Sequence, residues 1–203
     1  LVRGGAFTAG QRIDVDAAGI DLASADAGTI LDLNSTGALT LGGGSSGGSA
    51  LLTATGAVAL PGSFRGNGAL VIDGASVALG VDGDVESILA DGRIDITART
   101  GAIIGGFGLI LASDANDAGG EALILDAAGR VAFDANSDLG RAGAAIGIRT
   151  GGDLVLGRVT ARQLTGANAA HALLPTLIVP GAVRLNGPTE LGNGLTLSAA
   201  GNV

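Results

Sequence analysis

The sequence predicts an all-β fold, a parallel β-helix (β-solenoid) with rungs of about 18–22 residues, and three observations carry the prediction. A phrase recurs along the chain: two aliphatic residues one apart, a few small or polar residues, a glycine, then another aliphatic stretch. The glycines that close its first four copies, Gly19, Gly37, Gly56 and Gly74, fall 18, 19 and 18 residues apart. Glycine makes up 38 of 203 residues while proline makes up 4 and aliphatic residues are abundant, which excludes a disordered or collagen-like tract. A fixed period near twenty, made of short strands and tight turns, marks a chain wound into stacked rungs.

The copies can be followed in order. Ile13-Asp-Val15 runs to Gly19, Leu31-Asp-Leu33 to Gly37, Leu52 to Gly56, and Leu70-Val-Ile72 to Gly74. Ile94-Asp-Ile96, Leu123-Ile-Leu125, Ile146-Gly-Ile148, Leu177-Ile-Val179 and Leu195-Thr-Leu197 carry the phrase on with looser spacing, which predicts inserted loops or degenerate rungs. Roughly nine to eleven rungs fit the length. A single rung buries too few aliphatic side chains to offset the ordering of its backbone, so rungs fold only by stacking. Residues 1–203 are read as one solenoid segment, with the glycines as corner residues that supply positive φ. The last residues, Ala199-Ala-Gly201-Asn-Val203, repeat Ala127-Ala-Gly129-Arg-Val131 at all but one position and stop where the earlier copy continues as a strand. An internal section of a larger protein is expected.

Composition narrows the function classes. All eleven basic residues are Arg, against sixteen Asp and three Glu, for a net charge of −8. Scattered negative charge repels nucleic acid and anionic lipid, so no nucleic-acid partner is expected. No apolar run is long enough for a membrane-spanning helix, and the strands are too short for an outer-membrane barrel, so no membrane span is expected. Four Phe are the only aromatic residues, which leaves few platforms for stacking sugars or bases. Cysteine is absent and His171 is the only histidine, so no familiar zinc site can be assembled, and no Gly-x-Ser-x-Gly turn leading into a helix pattern places a serine for a catalytic triad with it.

The stretches Leu125-Asp-Ala-Ala-Gly-Arg-Val-Ala-Phe133, Ala145-Ile-Gly-Ile-Arg-Thr-Gly-Gly-Asp-Leu-Val-Leu-Gly157 and Leu185-Asn-Gly-Pro-Thr-Glu-Leu-Gly-Asn-Gly-Leu-Thr-Leu197 resemble the repeat shaft of filamentous haemagglutinin-like surface proteins and related large secreted adhesins. The resemblance covers most of the chain through short motifs. It implies a right-handed parallel β-helix, secreted to the bacterial surface or the extracellular space, with a structural part in adhesion, cell aggregation or biofilm. Its implied partners are copies of itself or other surface fibres, with host or cell-surface glycans or proteins engaged through regions outside this segment. No cofactor and no enzyme activity are expected. The alternative is a carbohydrate-active β-helix enzyme or a phage-type tailspike, which needs carboxylates converging in one groove.

Candidate sites are few. The acidic groups at Asp82 and Asp84, Asp114 and Asp117, and Asp134 and Asp138 are read as turn caps, because Asp and Asn side chains accept bonds from local amides. Gly105-Gly-Phe-Gly-Leu-Ile110 follows a calcium-binding repeat motif until Ile110 takes the place of the ligand Asp, so no metal is assigned. Gly42–Gly48 is read as a flexible corner. The stretch from Gln163 to Pro180, with Asn168, His171 and Pro175, is read as a loop or helical turn that leaves the coil, and as the local interaction site. Alternation turns the middle residue of each short strand outward, and Val71, Ile110, Ile124, Val155 and Ile178 are apolar there. On one face they would form a stripe for lateral contact, unless the Gln163–Pro180 stretch or the Ser45-rich loop folds over it.

Overall fold

The computed structural model describes residues 1–81, 83–114, 121–193 and 195–203. Among these residues there is no helix, and the strands stack in parallel as a β-solenoid of about nine turns. Three ladders run along the stack. One joins the strands Arg12–Ala17, Ile30–Ser35, Ala50–Ala54, Leu70–Gly74, Ile94–Ala98, Glu121–Ala127, Ala145–Thr150 and Gln163–Ala167. The other two pass through Leu39–Leu41 and Gly44–Ser46 respectively, and fuse where the longer strands Val2–Ala9 and Ile20–Ala27 run through both.

Alternation explains why the recurring phrase makes a coil. In Leu70–Gly74 and Ile94–Ala98 buried and half-buried residues alternate strictly, so one face of each strand enters the core. The ladders keep identical positions in register: Leu33, Leu52, Ile72, Ile96, Leu125 and Ile148 follow one another, all buried. Val58, Val77, Ile103, Val131 and Leu154 form a second buried column. Each column is a file of like aliphatic side chains, so the core is filled with few aromatic rings, Phe64 and Phe133 among them.

The repeating glycines are explained by crowding, which corrects the expectation of positive φ. The left-handed glycines among the described residues are Gly44, Gly80, Gly83, Gly108 and Gly140, and none belongs to the beat of Gly19, Gly37, Gly56 and Gly74. A Cβ at Gly37 would collide with the carbonyl oxygen of Ala18, and one at Gly56 would stand 2.9 Å from the carbonyl oxygen of Gly37. Corner backbones lie on one another between rungs, and only glycine leaves room for that approach. Gly42–Gly48 is likewise no loose corner. Gly44–Ser46 is a ladder strand, and Gly47 packs on the carbonyl of Gly28.

Inserted length sits at the corners. Inward hydroxyls close several of these turns: Ser35 donates to the Ala38 carbonyl at 2.9 Å and accepts from the Gly37 amide, and Ser46 donates to the Ser49 carbonyl at 3.0 Å. These buried serines are satisfied locally, so they enter an apolar column at little cost.

Candidate functional site

One stretch departs from the coil. Gln163–Ala167 joins the sheet beside Ala145–Thr150, with Leu164 opposite Ile146 and Gly166 opposite Ile148. The chain then leaves, turns, and returns as Leu173–Leu174, antiparallel to the strand it left. Leu177–Val179 resumes the stack, with Leu177 and Val179 buried in the core. Residues 167–176 are therefore a flap. It is a strand hairpin, where the sequence had suggested a loop or helical turn, and Gln163 lies in the ladder below it.

Asn168 builds the tip. Its side-chain oxygen accepts from the amides of Ala170 at 2.9 Å and Ala172 at 3.0 Å, while its own amide donates to the Ala172 carbonyl. His171 occupies the left-handed region at φ 57°, the only non-glycine residue among those described to do so. Thr165 donates its hydroxyl to the Leu174 carbonyl across the hairpin. Pro175 stands exposed on the return.

The flap lies on the outer face of the sheet, against strands two and three rungs back. Nδ1 of His171 is 2.8 Å from Oδ1 of Asp95, and Nε2 is 3.1 Å from Oδ2 of Asp126. The two carboxylates belong to adjacent strands, Asp95 paired with Ile124 and Asp126 with Thr97, so they sit diagonally across the ladder. Each is also held by an arginine: Arg93 reaches Asp95 at 2.9 Å, and Arg149 takes both oxygens of Asp126 at 2.7 Å. Asp126 is only 3% exposed at its side chain. A buried carboxylate with an arginine on both oxygens and an imidazole nitrogen beside it is a satisfied one.

The flap also covers apolar surface. Ile124 is 0% exposed, although its position in the strand turns it outward. A Cβ at Gly147 would stand 2.6 Å from Ile124 Cδ1, 2.8 Å from Leu173 Cδ2 and 3.4 Å from Ala167 Cβ. Gly147 is thus the floor on which Leu173 and Ile124 meet. Here the sheet is buried on both faces, and the strands Glu121–Ala127 and Ala145–Thr150 lose the alternation seen elsewhere.

This placement corrects the expected apolar stripe. Ile124 lies under the flap, while Ile178 is 62% exposed beyond it. Val155 and Ile110 belong to the two other ladders. On the outer column Leu51, Val71, Asp95, Ile124 and Gly147 follow in register, so Asp95 interrupts even the pair that shares a ladder. The five residues do not form one face.

Of the acidic groups expected to cap turns, Asp134 does so, accepting from the Asn136 amide at 2.8 Å, whereas Asp138 and Asp114 form ion pairs with residues distant in sequence, Arg158 at 3.3 Å and Arg141 at 2.9 Å. Asp82 and Asp117 lie outside the described residues. Among the described residues no group of three or more His, Cys, Asp or Glu side chains is placed to hold a metal ion. The glycines of the near-calcium motif have packing reasons. A side chain at Gly105 would enter the ring of Phe133 from the next rung, and Gly106 packs on the Gly80 carbonyl.

Two clefts are shallow. One, of about 270 Å³, lies among Asn136, Asp138, Arg158 and Asn186; the other, of about 280 Å³, lies beside the flap among Ile148, Ala167, Leu174 and Ile178. No described helix is long and apolar enough to cross a membrane. The chain matches no family model, no curated protein and no solved structure.

Sequence reasoning found the flap and its His171 and missed the partners. Alternation turns Asp95 outward like any polar strand residue, and nothing in the local sequence sets Asp126 or Arg149 apart. The available signal was the loss of alternation in two successive rungs, Ala122-Leu-Ile-Leu125 and Ala144-Ala-Ile-Gly-Ile148, which marks a sheet covered on its outer side.

Proposed function

We propose that this chain is a structural shaft of an exported bacterial surface or extracellular fibre protein, of the filamentous haemagglutinin-like kind, that spaces or presents binding parts in adhesion, aggregation or biofilm. The observation that carries the reading is the evenness of the outer surface. Outward charges are paired from rung to rung, as in Arg3 with Asp21 at 2.8 Å, Arg12 with Asp32 at 3.0 Å and Arg99 with Asp73 at 2.5 Å. Exposed pairs of this kind add little stability. Their effect is to offset part of the coil's negative charge from rung to rung, which suits a spacer. A polysaccharide-cleaving coil instead needs free carboxylates facing a substrate groove, and the carboxylates at the flap are occupied by Arg93, Arg149 and His171.

The reading is tested on the cells that produce the protein. Antibody against the segment, followed by immunogold microscopy on intact cells, is expected to label material outside the envelope, and deleting whole rungs is expected to shorten the fibre and weaken aggregation. Label confined to the cell interior would overturn the proposal. Release of reducing ends from acidic or neutral polysaccharides by the purified chain would favour the enzyme.

A further inference from the structure

We propose that the sheet face carrying Thr40, Ala59, Ala78, Ile104, Ala132 and Val155 is the contact surface for a second copy of this chain, which lies against it antiparallel. These residues are the outward, half-buried middle positions of six successive strands of one ladder, each opposite the next. Outward charges pair from rung to rung elsewhere, as at Arg12 and Asp32. In this file no charge stands for six rungs, a length of about 29 Å at the usual strand spacing. The corners beside its middle are apolar as well. Val81, Val85 and Phe107 are exposed there, Phe107 at 50%, and they follow the strands of Ala78 and Ile104. Those two corners lie together: a Cβ on Gly106 would stand 3.0 Å from Val81 Cα, and one on Gly108 would stand 2.9 Å from Val85 Cγ2. A monomer seldom leaves such a surface bare.

The ends of the file say what covers it. In the same ladder Asp21 precedes Thr40 and Arg184 follows Val155. Arg184 is exposed and forms no ion pair among the described residues, and the Asp21 side chain is 44% exposed beside Arg3. The file is therefore acidic at one end, basic at the other, and complementary to itself when turned around. A two-fold axis crossing it between Ala78 and Ile104 sets Asp21 against the partner's Arg184 at both ends. It also sets Ala59 against the partner's Ala132, and Ala78 against the partner's Ile104, a small residue facing a large one. Arg130 and Asp153, on the corners before Ala132 and Val155, then meet the partner's Ala57 and Ala38, so like charges stay apart. A parallel pair would set Asp21 on Asp21 and Arg184 on Arg184, which like charge opposes. The patch is smaller than a standard interface, so the pair forms at high concentration, and its terminal charges fix direction more than strength. The inference goes beyond the shaft reading and does not rest on it: label inside the cell would overturn the shaft and leave the pair, whereas a strict monomer would overturn the pair and leave the shaft.

Sedimentation of the chain across a concentration series is expected to show a monomer–dimer equilibrium. Ala78→Arg, a charge at the centre of the contact, is expected to weaken association at least about tenfold. Arg184→Asp and Asp21→Arg each place like charges at both ends and are expected to weaken it about tenfold. An equimolar mixture of those two variant chains is complementary at both ends again and is expected to regain the association of the unaltered chain. Circular dichroism confirms that each variant keeps the coil. Because the chain has no cysteine, Ala59→Cys and Ala132→Cys chains, one of them tagged, can be mixed and joined by a short bis-maleimide. The mixed product is expected to exceed the share that random encounter gives. A monomer at every concentration, a dimer indifferent to Ala78→Arg, or cross-linking that is random or favours Ala59→Cys with itself would each overturn the proposal.

Discussion

Phe133 and Gly105 offer the clearest test of how neighbouring rungs fit. They are opposite each other in one ladder, and Phe133 is only 3% exposed. A Cβ built at Gly105 falls within the Phe133 ring, with Cγ 3.0 Å away. One rung has given up its side chain so that the next can place a ring in the space. Gly105→Ala should therefore overpack the column and cost about 1–3 kcal/mol, although alanine suits a strand better than glycine does elsewhere. Phe133→Ala should cost about 3–5 kcal/mol by leaving a cavity. The informative comparison is Gly105→Ala in the Phe133→Ala background, where the ring atoms that obstruct the new methyl are gone. The two changes should couple by about 0.5–3 kcal/mol, in the sense that each relieves the other. The assay is urea unfolding followed by hydrogen exchange in Ile103–Gly105 and Val131–Phe133, with Ile30–Ser35 as a remote control, because a stacked coil loses stability locally. A cost for Gly105→Ala that is the same in both backgrounds would refute the fit.

Three further outcomes follow from the same geometry. Ile72→Asp puts an unpaired charge into a fully buried column and should unfold its rungs, at several kcal/mol, whereas Asp14→Asn on the exposed face should stay within about 0.5 kcal/mol; protease susceptibility and circular dichroism would rank them. Gly37→Ala drives a methyl into the Ala18 carbonyl, while Gly5 has nothing within 4 Å of a Cβ. The first should lower the denaturation midpoint by an amount matching about 1–3 kcal/mol, and Gly5→Ala should leave it unchanged. Asp114, Asp134 and Asp138 are satisfied by Arg141, the Asn136 amide and Arg158, so a chelator should leave the melting temperature where it is, and a calcium-dependent rise would contradict that assignment.

The fold was legible because a solenoid writes its period into the chain. Leu33, Leu52 and Ile72 announce one column at the interval of one rung, and no long-range guess is needed to pair them. The reason for the beat of glycines was not legible. Positive φ and close backbone approach both favour glycine, and only the position of Ala18 above Gly37 separates them. The facing of short strands could be read from alternation, but which outward positions share a face could not. Ile110, Val155 and Ile178 look alike in sequence and belong to three different ladders of strands, because inserted corner residues change how far each strand travels around the coil. The cluster at the flap was hidden for the same reason. His171 is 76 residues from Asp95 and 45 from Asp126, distances set by irregular rungs rather than by the period.

The flap also shows how a one-dimensional fold acquires a local device. Each rung contacts its neighbours, so a feature that spans three of them must lie outside the coil. The hairpin does this by leaving after the strand Gln163–Ala167 and rejoining at Leu177, and the buried Leu164 and Leu177 keep the core continuous on either side of the excursion. The insertion therefore leaves the stack intact and spends its side chains on the outer face. There Asp95 and Asp126, diagonal on adjacent strands, need cations to offset their mutual repulsion. Arg93 and Arg149 approach along the sheet, which leaves the space above the sheet to the imidazole. A tip residue that bridged only one carboxylate would fix the hairpin to a single rung. By touching both, His171 ties the excursion to two rungs at once.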